Sequence, residues 1–156
     1  MIEKILRIGI IILLIPGLAC EKDDEKTYKF EELEEEVLSA INAYRISQGL
    51  SSLNMNSFIR NECRTHSENM ADGTVSFGHE GFLERSDRII AELGSGNISE
   101  NVAVGSETAE AVVNSWINSS AHKTNIEGDY NLTGVGIAEN SDGVLYFTQI
   151  FFKSSK

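Results

Sequence analysis

Three histidines, His66, His79 and His122, are the side chains best suited to proton or metal chemistry in this chain, because imidazole ordinarily titrates between about pH 5 and 8. His66 and His79 are followed four residues on by Met70 and Leu83, so neither begins the paired-histidine helix of a zinc protease. Gly94, Ser95 and Gly96 do not form a nucleophile elbow, and no serine sits in the GxSxG pattern. Cys63 falls in the middle of an apolar helical stripe, a poor setting for a reactive thiolate. No phosphate-cradling or dinucleotide loop is present. The familiar hydrolase and nucleotide-enzyme signatures are therefore excluded.

The histidines need elements to position them. Phe30, Leu33, Val37, Leu38, Ile41 and Tyr44 recur at three- and four-residue steps among Glu31, Glu32, Glu34, Glu35 and Glu36, which predicts an amphipathic helix closed near Gly49. A second helix is expected from Asn54 or Asn56 to Asp72, stopped by Gly73, with Phe58, Ile59, Cys63, His66 and Met70 on its apolar side. His66 then reads as a packing or surface residue. A third helix is expected over residues 82–93, before Gly94 and Gly96. A fourth, capped by Ser106, would bury Ala109, Val112, Val113 and Trp116. Residues 135–139 and 144–152 read as strands around the turn residues Asn140, Ser141, Asp142 and Gly143. Residues 98–104 offer another strand. Four helices around a sheet that is apolar on both faces predict an α+β fold, a three-layer α/β/α sandwich with a mostly antiparallel central sheet.

The chain has 156 residues, 41% of them hydrophobic and 24% charged, the size and composition of one globular domain with a short appendage. A formal net charge of −11 excludes a nucleic-acid binder, since duplex affinity comes mostly from Lys and Arg neutralising phosphates. Lys4 and Arg7 precede an apolar run over residues 8–15, then Pro16, Gly17, Leu18, Ala19 and Cys20, the layout of a signal peptide over residues 1–19. Ala19 and Leu18 before Cys20 resemble a bacterial lipobox, although Gly17 stands where leucine is usual. The resemblance implies lipidation at Cys20. Residues 20–29 form an acidic tether, and Glu21, Lys22, Asp23, Asp24 and Glu25 resemble the surface-export tag of some Gram-negative lipoproteins. The expected location is the bacterial cell envelope, at the outer membrane or cell surface, with the membrane as partner through the anchor. Cys63 then has no intramolecular partner, so a disulfide framework is excluded and the residue reads as a small buried hydrophobe.

Six fragments occur in a telling order. They are Asn42, Ala43, Tyr44, Arg45 with Gly49, Leu50 and Leu53; His66, Ser67, Glu68, Asn69, Met70, Ala71; Phe77, Gly78, His79, Glu80, Gly81, Phe82 with Arg85; Ile98 to Gly105; Trp116 to Ile126; and Val135, Gly136, Ile137 with Tyr146 to Phe151. Together they resemble the CAP superfamily, which includes pathogenesis-related proteins, cysteine-rich secretory proteins and the bacterial SCP-like lipoproteins. The resemblance covers about residues 33–152 and makes residues 30–156 a CAP domain.

The resemblance implies a cleft holding two histidines and two acidic residues, which in some members binds a divalent metal. Carried onto this sequence, the histidines are His79 and His122 and the glutamate is Glu100. The second acid of many eukaryotic members falls on Ser119, and Ser99 replaces the usual glycine before Glu100. Two imidazole nitrogens and one carboxylate could hold Zn²⁺ or another divalent ion with a position open to water. Equally, Glu100 could hydrogen-bond to the histidines and fix the cleft with no metal. Asn101 and Ser119 are placed to orient these groups.

Three functions follow. The first is an extracytoplasmic binding module that takes a small apolar, lipid or glycan ligand, or a protein partner, at the His79, Glu100 and His122 cleft. The second is a metal-dependent hydrolase in which His79 and His122 hold the ion and Glu100 serves as ligand or base. The third is a structural or adhesive scaffold acting through the loops at residues 73–81 and 127–133.

Overall fold

A computed structural model describes residues 28–154. The leader, Cys20 and the tether up to residue 27 lie outside the described residues. The chain runs α1 (Glu31–Ser47), β1 (Asn54–Met55), α2 (Ser57–Ala71), α3 (Phe82–Leu93), β2 (Gly96–Val104), α4 (Ala109–Asn118), α5 (Ser120–Glu127), β3 (Leu132–Glu139) and β4 (Leu145–Ser154).

Local chemistry accounts for most boundaries. Glu31, Glu32 and Glu34 occupy the first turn of α1 and Arg45 its last, each sign where the helix dipole favours it. The Asn56 side chain accepts the Ile59 N–H at 3.0 Å and starts α2, the later of the two expected starts. The third helix spans the expected residues. The fourth is capped by Thr108, which accepts the Ala111 N–H at 3.2 Å, in place of the expected Ser106. Five α-helices, rather than four, are present among the described residues. Ser119 takes extended dihedrals, φ −96° and ψ 119°, and splits the last helical stretch in two. The second piece, α5, fully buries only Ile126, so it carries no apolar stripe to announce it.

The four strands are ordered β1-β3-β4-β2. β3 and β4 pair antiparallel with Val135 opposite Gln149, and β4 and β2 pair antiparallel with Glu100 opposite Ile150. Only the two-residue β1 is parallel, set by Asn54 opposite Leu132. The sheet is thus mostly antiparallel, with α1, α4 and α5 on one face and α2 and α3 on the other. Val37, Ile41, Val112, Trp116, Val135, Ile137, Phe147 and Phe151 fill the first interface, and Ile59, Cys63, Ile89, Ile150 and Phe152 the second. Strand alternation puts Phe147 and Phe151 on one side and Ile150 and Phe152 on the other.

The second interface depends on two glycines. A Cβ on Gly134 would stand 2.4 Å from the Ile59 carbonyl carbon and the Arg60 nitrogen, and one on Gly136 would stand 2.1 Å from the Arg64 nitrogen. Helix α2 therefore lies directly on the β3 backbone. Ser67 donates to Gly136 O at 2.9 Å and Cys63 to Gly134 O at 3.4 Å along this contact. Cys63 is fully buried, and burial pushes its thiol well above the ordinary range, as expected of an inert core cysteine.

Two buried charges tie α1 to the rest. Arg45 donates to Ser51 O at 2.9 Å, Ile126 O at 2.5 Å and Gly128 O at 3.0 Å, so the loop after α5 is held from beneath. Glu34 accepts from Arg64 at 2.6 Å and also meets the Ile137 N–H at 3.3 Å. Burial raises the Glu34 carboxyl above its ordinary value, against the pull of Arg64 and Arg60.

Candidate functional site

His79 sits in the loop between α2 and α3, where Gly78 adopts φ +144° and Gly81 φ +73°, backbone conformations that favour glycine. From beneath, the fully buried His66 reaches Gly78 O through Nε2 at 2.8 Å. His66 is therefore a buried pin under the residue preceding His79. Its Nδ1 is buried and has no partner, and burial holds its pKa below that of an ordinary histidine.

Glu100 is the buried residue at the centre of β2. Its Oε1 meets His79 Nδ1 at 2.9 Å. Arg85, from the first turn of α3, donates to the same carboxylate through Nε to Oε2 at 3.0 Å and through Nη2 to both oxygens at 2.9 and 2.8 Å. Its Nη1 donates to Glu80 O at 2.8 Å, next in sequence to His79. The Arg85 and Glu100 side chains are 5% and 1% exposed, whereas His79 is 52% exposed. A buried ion pair thus carries a solvent-facing imidazole.

His122 lies in the first turn of α5, beside the edge strand β2. Asn101 points to the opposite face of the sheet from Glu100 and donates to His122 O at 3.1 Å. Asn125 donates to Asn101 Oδ1 at 2.8 Å and to Glu100 O at 3.2 Å. These amides hold α5 against the β2 edge. The His122 ring makes no hydrogen bond to His79 or Glu100. Burial, and the repulsion of a charge on His79, hold its pKa below the ordinary histidine value. Ser119 is the junction of α4 and α5, where its backbone carbonyl accepts the Lys123 N–H at 2.8 Å; its hydroxyl forms no helix cap and makes no hydrogen bond to His79, Glu100 or His122. Trp116 is fully buried and donates to Val102 O at 3.2 Å, a core residue as expected.

The sequence places Arg85 within a motif but gives it no role in the site. Spacing alone cannot show that its guanidinium turns back onto Glu100, fifteen residues on.

Against this geometry, a divalent ion held by His79, Glu100 and His122 does not fit. Among the described residues no three His, Cys, Asp or Glu side chains are grouped to hold a metal. Of the roughly four lone-pair positions of a carboxylate, the Nε–H and the shared Nη2–H of Arg85 and the His79 nitrogen take about three, and both oxygens are engaged. A dication would also be brought against a buried guanidinium, a like-charge contact that costs most where the dielectric is low.

The family model described as the cysteine-rich secretory protein family, CAP, matches residues 38–151. The uncharacterized protein YkwD of Bacillus subtilis is 29% identical over 123 residues, covering 77% of this chain and 47% of its own length. The chain thus spans about half the length of that curated relative. Among solved structures, an outer surface protein of Borrelia burgdorferi aligns with a TM-score of 0.70 at 22% identity, over 82% of this chain and 97% of that one. An extracellular SCP-domain protein of Bacillus anthracis aligns with a TM-score of 0.68 at 21% identity, over 79% of this chain and 41% of that one. At these identities the two structures establish the fold.

Proposed function

We propose, on the premise that this chain belongs to the cysteine-rich secretory protein (CAP) family, that it is an extracytoplasmic module binding a small ligand or partner at a cleft between His79 and His122. Residues 1–19 direct export, Cys20 carries the lipid that anchors the chain to the cell envelope, and the tether that separates anchor from domain ends before residue 28 rather than at residue 29, because Tyr28 already docks on the domain by donating to Ile137 O at 2.6 Å. Supporting this location are the layout of the leader and the surface and extracellular character of the two neighbours. No helix among the described residues is long and apolar enough to cross a membrane.

One observation carries the reading of the cleft. The His79 ring is fixed through Nδ1 by a buried ion pair while more than half of its side chain faces solvent. Holding one nitrogen of an exposed imidazole on a buried, fully bonded base is a preorganised arrangement, which lowers the ordering cost of binding at the other nitrogen. Phe77 and Leu83, exposed at 51% and 75%, provide apolar surface on the same loop and the helix start that follows it. An amphipathic ligand, such as a glycan or lipid headgroup with an apolar face, suits this combination. The hydrolase reading gains no support, because both oxygens of Glu100 are engaged by a buried guanidinium and the His79 ring.

A thermal-shift screen of the exported chain against envelope glycans and phospholipids tests the reading. A ligand at 100 times its Kd stabilises by about 2.7 kcal/mol. The shift is expected to disappear in His79→Ala and to shrink in His122→Ala. An equal shift in the double variant contradicts it. Release of Cys20→Ala from the membrane fraction tests the anchor, and unchanged fractionation contradicts it.

A further inference from the structure

We propose that Arg85 determines what the site accepts: it engages both oxygens of Glu100 in place of a divalent ion and fixes the proton of the neutral His79 ring on Nδ1, so that this ring offers an acceptor at Nε2 to a hydroxyl or amide donor of the ligand. The inference rests on the cleft reading above and adds the ligand's chemical class.

Ionised Glu100 can only accept hydrogen bonds, and Arg85 engages both of its oxygens in a fork that only a guanidinium supplies. The nitrogen of His79 that meets Oε1 at 2.9 Å must then carry the ring proton. In a neutral imidazole this leaves a lone pair on Nε2, on the side of the ring away from Glu100. Arg85 is itself fixed at a third point by Glu80 O, and Glu100 is held on β2 by pairing with β4. Neither partner is free to turn away. His66 completes the support by anchoring Gly78 O, so the loop delivers His79 in one orientation.

A metal would need three protein ligands at an open zinc site. With both oxygens of Glu100 engaged by Arg85, His79 and His122 remain. In the neutral ring an anion would meet a lone pair rather than a proton at Nε2. A hydroxyl or amide N–H matches the nitrogen that is presented.

Two measurements on the full chain decide this. The first is nitrogen-15 NMR of the histidine rings without ligand. His79 is expected as the Nδ1–H tautomer, and the Nε2–H tautomer overturns the inference. The second is calorimetric titration with Zn²⁺. The wild type is expected to show no His79-dependent site, and Arg85→Ala to bind one Zn²⁺ at least tenfold more tightly than any residual His79-independent binding of the wild type, a gain lost in Arg85→Ala/His79→Ala. One-to-one Zn²⁺ binding by the wild type that vanishes in His79→Ala overturns the inference, as does a folded Arg85→Ala with no gain. If Arg85→Ala does not fold, the wild-type tautomer and titration still decide between the outcomes. Failure of the ligand screen would remove the cleft reading while leaving the tautomer result standing, so the two failures are distinguishable.

Discussion

Arg85 and Glu100, one from α3 and the other from β2, form a bidentate ion pair with contacts of 2.8 to 3.0 Å while both side chains are almost wholly buried. The pair joins a peripheral helix to the sheet and supports the exposed His79. Removing one partner strands the other charge in a low-dielectric interior, which costs about 3–5 kcal/mol, whereas replacing both by apolar residues of similar volume is often close to neutral. Arg85→Ala is therefore expected to lower stability by about that amount, and Arg85→Met/Glu100→Leu to recover most of it. Urea denaturation of the two variants is the check. Equal losses would mean that the pair does not act as a unit.

The packing of α2 on β3 leads to a second prediction. At Gly136 an added methyl would meet helix backbone at 2.1 Å, and backbone cannot rotate aside as a side-chain tip can. Gly136→Ala is expected to cost about 3 kcal/mol, the upper end of the range for overpacking a tight core. Thermal or chemical denaturation measures it. A loss under about 1 kcal/mol would show that α2 can lift from the sheet at little expense.

The helix and strand pattern was readable because its periodicity is strong. Phe82 to Leu93 is delimited by glycines on both sides and is helical over that span, and the hairpin turn at Asn140 to Gly143 lies between two strongly apolar runs. The two-residue β1 was not readable, since two residues have no periodicity. Nor was α5, where Ser119 interrupts a continuous polar stretch through its dihedrals alone. Within the site, His79, Glu100 and His122 were indicated by resemblance, and the direct bond between the first two agrees with one of the two arrangements that their chemistry allowed. The parts not legible in the sequence, Arg85 beneath Glu100 and His66 beneath Gly78, are tertiary contacts between different motif fragments, and the motifs do not encode which side chain turns onto which. Their residue types only say that an arginine or a histidine, if buried, must have found a partner.

His66 gives the third prediction. Its pKa is lowered in the folded chain, chiefly by burial and further by Arg85 and His79, against the pull of Gly78 O and Glu100. The unfolded chain then binds more protons over the interval between the lowered value and about 6.5, so stability must rise with pH across it. The contribution is complete above about 6.5 and is lost as pH falls through the folded value. Denaturant midpoints measured from about pH 7.5 down to about 4.5, a range that brackets ordinary histidine titration, are expected to drop more steeply for the wild type than for His66→Gln. Parallel curves would show that His66 is not the group responsible.

The meeting of His79 and His122 at one surface, from opposite sides of the β2 edge, is the claim on which the functional reading stands. NMR titration of the His122 ring in the wild type and in His79→Gln tests it most directly, because glutamine keeps much of the volume and cannot become charged. With the repulsion from His79 removed, the pKa of His122 is expected to move up toward its ordinary value, still short of it because burial persists. An unchanged His122 titration would place the two imidazoles apart and leave no shared site for a ligand to occupy.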